Sequence, residues 1–248
     1  MPRNAVAQTA IAVESFSVLP STSQAKSPQP FIYVAACIAA LSAVAYELML
    51  ATYATYLLGA TVLQYSIVIS TMMASMGLGA WLTGKTQRNA IQLFCLIEAG
   101  LAIVALLALP ALYIVFASHF PPQPFLFFFV VLIGIAVGTE IPLLNQMASD
   151  ESQLPRILFF DYFGGFLGGL LFPLWLQPKL GLFPVAGILS FLNVCLAVGV
   201  LFRKDFKGNR MGWGIALGCL ALLALGFIHE ADPLRQFLEN HFFQIQSS

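Results

Sequence analysis

AIQLFCLIEAGLAIVALLALPALYIVF, residues 90–116, holds a single charged side chain, Glu98. A helix needs about 20 predominantly apolar residues to cross the hydrocarbon of a bilayer, and this stretch exceeds that length. Working outward, similar runs lie near 32–57, 62–84, 125–147, 156–176, 182–202 and 211–228. The breaks between them have physical causes. Leu58-Gly59-Ala60-Thr61 is a tight hinge, Lys85 to Asn89 is polar, and Pro121-Pro122-Gln123-Pro124 cannot continue a helix. Asp150 to Gln153, Gln177-Pro178-Lys179 and Arg203 to Arg210 separate the later runs. The apolar runs lack the alternation of strands. The reading is all-α: a polytopic membrane helix bundle of about seven transmembrane helices.

Composition agrees. Of 248 residues, 59% are hydrophobic and 9% charged, and the mean hydropathy is +0.87. A soluble domain carries about 25% charged residues, so the lipid bilayer is the expected partner for most of this surface. Eleven basic residues balance eleven acidic ones, which excludes nucleic acid as a partner on bulk charge. Cys37, Cys95, Cys195 and Cys219 sit inside apolar stretches with no C-x-x-C spacing. They are expected to be small buried hydrophobes rather than metal ligands or disulfides. His119, His229 and His241 lie outside the runs or at their ends, and neither a metal site nor a cofactor is expected.

Three regions follow. Residues 1–30 are expected to be a disordered cytoplasmic leader, because they lack the unbroken apolar core of a secretory signal and end at Ser27-Pro28-Gln29-Pro30. Residues 31–229 form the bundle. Residues 230–248 form a short amphipathic tail, in which Asp232-Pro233 starts a helix and Leu234, Phe237, Leu238, Phe242 and Ile245 recur at helical spacing.

Orientation follows from the basic residues. Arg3, Lys26, Lys85, Arg88, Arg156, Arg203, Lys204, Lys207 and Arg210 fall on one side, against Lys179 and Arg235 on the other. The expected location is a bacterial inner membrane, multi-pass, with the N-terminus cytoplasmic and the C-terminus outside.

Membrane helices approach closely only where side chains are small. Gly134/Gly138, Gly164/Gly168, Gly165/Gly169 and Gly214/Gly218 all have GxxxG spacing, and Ser75, Gly77, Gly79, Ala80 and Gly84 add small residues to the second run. Helix packing is their expected role.

Four acids lie within the runs: Glu47, Glu98, Glu140 and Asp161. A carboxylate at the centre of a span costs about 2.5–3.5 kcal/mol or more, so each calls for a partner, a proton or a water-filled cavity. No Lys or Arg is expected at their depth. Glu140 precedes Pro142, and Asp161 precedes Gly164-Gly165. The fourth span ends and the fifth begins on the same side, so Glu140 and Asp161 should share the cytoplasmic half, with Glu98 in that half too. Glu47, Glu98, Glu140 and Asp161, with Tyr46 and Asn145, are the candidate ligand-binding residues. Gln64, Tyr65 and Tyr162 are polar neighbours.

Several strings resemble a known membrane region. They are Tyr46-Glu47-Leu48, Tyr56-Leu57-Leu58-Gly59, Met76-Gly77-Leu78-Gly79, Gly138-Thr139-Glu140-Ile141-Pro142, and Asp161-Tyr162-Phe163-Gly164-Gly165 through Gly168-Gly169-Leu170-Leu171-Phe172-Pro173. In this order, over roughly residues 32–202, they resemble the transmembrane part of membrane-bound bacterial spermidine synthase-like proteins (the polyamine aminopropyltransferase family). The resemblance implies a following Rossmann-like domain that binds decarboxylated S-adenosylmethionine. No Gly-rich loop after a strand stands in this sequence, so the expectation is a membrane module without the aminopropyltransferase domain, and not an enzyme. Such a module could bind or transport a small cation such as a polyamine. The alternative is a non-catalytic scaffold that assembles with a membrane-protein partner or a separately encoded soluble synthase.

Overall fold

A computed structural model describes residues 30–84, 89–148, 151–204 and 206–229. The proposed leader and tail therefore lie outside the described residues, apart from Pro30 at the leader's end. Among the described residues the fold is all-helical, and seven helices are long and apolar enough to cross a membrane.

The helices are α1 (Pro30–Leu58), α2 (Thr61–Gly84), α3 (Ala90–Ala117), α4 (Gln123–Met147), α5 (Leu154–Leu171), α6 (Leu182–Leu201) and α7 (Arg210–His229). Their bounds fall within two residues of the apolar runs, except that α5 ends at Leu171, five residues short of its run. The Gly59-Ala60 hinge has positive φ at both residues, and Gly181 turns the chain between α5 and α6 at φ 79°. Asn89 caps α3 by accepting from the Ile91 amide at 3.1 Å. Pro173 lacks an amide hydrogen, and the segment Phe172–Leu176 answers with a π-turn before the last helical turn, Gln177–Leu180.

α1 is the central helix, packed against α5, α2, α4 and α6. The close approaches use small residues, as expected for helices in lipid. A Cβ at Gly138 would collide with the Met76 carbonyl, one at Gly79 with the Ile135 carbonyl, and one at Gly164 with the Cys37 carbonyl. Gly168 rests in the same way on Leu41. Gly165 and Gly169 make ordinary contact with Val44.

Two expectations need correction. Gly214 and Gly218 have nothing within 4 Å, because they lie on the outer face of α7, a peripheral helix packed mainly on α6. The cysteines are not all buried: Cys95 is, Cys37 is half-buried, and Cys195 and Cys219 are exposed. An apolar neighbourhood in sequence suits a lipid-facing position as well as an interior one, so it does not determine burial.

Candidate functional site

Three helix ends meet on one side of the bundle. Glu98 follows the start of α3 by eight residues, Asp161 follows the start of α5 by seven, and Glu140 precedes the end of α4 by seven. At 1.5 Å per residue all three lie about 10–12 Å from that side, the basic face, which also carries Arg156, Arg203, Lys204, Lys207 and Arg210. Glu140 lies within electrostatic reach of both Glu98 and Asp161. Tyr46 of α1 lies within reach of Glu98 and Glu140.

Glu98 is wholly buried, and neither of its carboxylate oxygens has a hydrogen-bond partner. Glu140 is 4% exposed. Asp161 is half-buried. Tyr46, also wholly buried, accepts a 2.8 Å hydrogen bond from Asn193 Nδ2 of α6. These residues form a polar centre inside an apolar bundle, where a bare carboxylate is costly unless a cation, a proton or water accompanies it.

Beside this centre a cavity of about 650 Å³ opens among α1, α2, α4 and α5. Glu140 and Asp161 supply its acidic wall, and Val44, Met76 and Val137 line its apolar part. Gly77, Gly138 and Gly165 add no side chains and so leave the space open. Tyr162 and Phe166, both largely exposed, stand at its outer edge. The chamber suits an elongated apolar chain with a cationic end, since an acid pair faces an alkyl-lined wall.

The structure sorts the candidates from the sequence. Glu98, Glu140, Asp161 and Tyr46 come together, and of these Glu140 and Asp161 line the cavity while Glu98 and Tyr46 do not. Glu47 is half-buried and does not line the cavity. Asn145 has a buried, unpartnered Oδ1 one helical turn beyond Glu140 and does not line the cavity either. Tyr162 joins the cavity edge. Tyr65 is used elsewhere, in a 2.6 Å hydroxyl pair with Thr52 toward the opposite face, and Gln64 lies in the same first turn of α2. Asn193 was not among the candidates. Its signal was available: an amide inside the apolar run of α6 needs a partner for the same reason that the acids do.

No family model matches the chain, and no solved structure matches it. The chain is similar to proteins named polyamine aminopropyltransferase. That of Leptospira interrogans serogroup Icterohaemorrhagiae serovar copenhageni is 38% identical over 224 residues, 87% of this chain and 44% of the relative. Polyamine aminopropyltransferase 1 of Ralstonia nicotianae is 32% identical over 88% of this chain and 45% of the relative. Polyamine aminopropyltransferase 1 of Streptomyces coelicolor is 30% identical over 90% of this chain and 44% of the relative. The expectation that this is not an enzyme is overturned by these names, which are those of enzymes. The chain spans less than half the length of these relatives, all of them named polyamine aminopropyltransferases.

Proposed function

We propose that this chain is the membrane-embedded part of a polyamine aminopropyltransferase-type protein, and that its polar centre binds a small organic cation of the polyamine class. One observation carries the reading: Glu140 and Asp161 form the acidic wall of a cavity large enough for a short diamine chain, with Glu98, fully buried and unpartnered, within electrostatic reach of Glu140 behind it. A protonated amine meets the Glu140 and Asp161 carboxylates, and the alkyl segment covers the apolar wall. The names of the relatives support the choice of polyamine over other cations. Aminopropyl transfer is the proposed activity of the whole protein, with this bundle holding amine at the membrane. The proposed setting is a bacterial inner membrane with the basic face cytoplasmic, supported by the excess of Lys and Arg on that face.

Isothermal titration of spermidine into purified protein tests the reading. Wild type should bind, and Glu140→Gln should bind more weakly by about 1–3 kcal/mol, the range for losing a charge-assisted hydrogen bond. Folded wild-type protein that takes up no spermidine would defeat it. A second reading, a scaffold for another membrane protein, draws support from α7, whose Gly214/Gly218 face is open. It predicts no spermidine binding and damage to assembly when that face is made bulky.

A further inference from the structure

The bundle repeats itself. Ala43-Val44-Ala45-Tyr46-Glu47-Leu48-Met49-Leu50 in α1 matches Ala136-Val137-Gly138-Thr139-Glu140-Ile141-Pro142-Leu143 in α4, sharing Ala, Val, Glu and Leu at corresponding places. Ile97-Glu98-Ala99-Gly100-Leu101-Ala102-Ile103 in α3 matches Leu192-Asn193-Val194-Cys195-Leu196-Ala197-Val198 in α6. Between them in order, Ser75 and Gly79 in α2 correspond to Gly164 and Gly168 in α5 as small pairs four apart.

The packing has the same two-fold pattern. α5 packs on α1, and α2 packs on α4. In both cases the small pair makes the approach, Gly164 and Gly168 onto Cys37 and Leu41, and Gly79 onto Ile135. Likewise α1 touches α6 while α4 touches α3, and α3 and α6 pack on each other. Each unit holds an odd number of helices, so the second runs inverted relative to the first, about an axis in the membrane plane.

The polar centre lies on that axis. Cys95 Sγ donates to the Ala197 carbonyl at 3.8 Å, which sets the register of antiparallel α3 and α6. Counting on from that contact brings Glu98 level with Asn193 and Val194, so Glu98 and its own repeat mate meet at the crossing point. Tyr46 and Glu140 hold corresponding positions to within one residue. At this level the first helix of each unit thus meets the third helix of the other, through the Tyr46–Asn193 hydrogen bond and the Glu140–Glu98 proximity. Val44 and Val137 are repeat mates as well, and both line the cavity.

The cavity is one-sided with respect to the repeats: Glu140 of the second repeat lines it, and Glu47, its mate in the first, does not. Beyond Glu47, α1 is packed instead: Met49 and Leu50 are both wholly buried, and the Thr52–Tyr65 hydroxyl pair ties α1 to α2. We propose that the two repeats exchange these arrangements, so that the chain carries a protonated amine across the membrane by opening its centre alternately to the two faces. This rests on the cation-binding reading above and adds transport to it.

The test uses the full chain in liposomes loaded with unlabelled spermidine, with radiolabelled spermidine outside, and binding measured in parallel on the same protein in detergent. Counterflow above protein-free liposomes is expected. Binding without counterflow overturns the exchange and leaves the cation reading standing, whereas absence of binding overturns both. With Cys37, Cys95, Cys195 and Cys219 replaced, Ile141→Cys should react with an impermeant maleimide from the basic face and Leu48→Cys from the opposite face. Saturating spermidine should shift the two rates in opposite senses. Rates that move together, or Leu48→Cys silent from the opposite face throughout, would overturn the proposal. Glu47→Gln should slow counterflow by about tenfold, as for one lost charge-assisted hydrogen bond, with binding nearly unchanged. An equal fall in both would make the site static.

Discussion

Asn193 Nδ2 donates a 2.8 Å hydrogen bond to the Tyr46 hydroxyl, joining α6 to the central helix at a point where both side chains are out of reach of solvent. Inside an apolar bundle each of these groups is costly without the other. Tyr46→Phe is expected to lower stability by about 0.6–1.7 kcal/mol, the measured span for hydrogen bonds between membrane helices. Thermal unfolding in detergent reads this out. The double variant Tyr46→Phe/Asn193→Leu should lose less than the sum of the single changes, since no orphaned amide remains.

Glu98 gives the opposite sign. Its oxygens have no partner within the protein, so Glu98→Leu removes a desolvation cost and should raise stability by about 1–3 kcal/mol. The same change should weaken spermidine binding, the usual trade between fold and function. Denaturation midpoint and titration on one preparation check both halves. A variant that unfolds more readily than wild type would show that Glu98 has a structural partner.

Glycines of equal spacing should respond unequally. Gly138→Ala and Gly164→Ala place a methyl against a backbone carbonyl that cannot turn aside, at a cost of about 1–3 kcal/mol of overpacking. Gly218→Ala meets open space and should be neutral or stabilising by up to about 1 kcal/mol, as for alanine over glycine in a helix. Unfolding of the three variants side by side gives the comparison.

Sidedness can be read from loops on the two ends of the bundle. In a background without the native cysteines, Lys207→Cys should be labelled only from the cytoplasm, and Phe120→Cys, in an exposed loop position, only from outside. Labelling in the reverse sense would invert the basic-side rule for this chain.

The helices themselves were legible in the linear sequence. Hydrocarbon demands internally bonded backbone and apolar side chains over a fixed thickness, and both demands are local. Residues 90–116 therefore announce α3, and the polar or proline breaks announce the ends of the others to within a few residues. The cost of a buried charge is local as well, so Glu98, Glu140 and Asp161 could be singled out one by one. Pro173 was visible, though a proline by itself does not say whether a helix stops, kinks or, as directly after α5, takes a π-turn.

What the sequence left open is everything that depends on how the helices are paired and rotated. Glu47 and Glu140 stand in matching strings, yet only Glu140 lines the cavity. Gly134/Gly138 and Gly214/Gly218 have the same spacing, yet the first pair seats α4 on α2 and the second faces outward. Cys95 and Cys219 have equally apolar neighbours and opposite exposure. In lipid, both faces of a helix are apolar, so the periodicity that marks the inner face of a soluble helix is nearly lost. Small residues, polar contacts and close backbone packing decide the inner face instead, and these exist only once the helices are brought together.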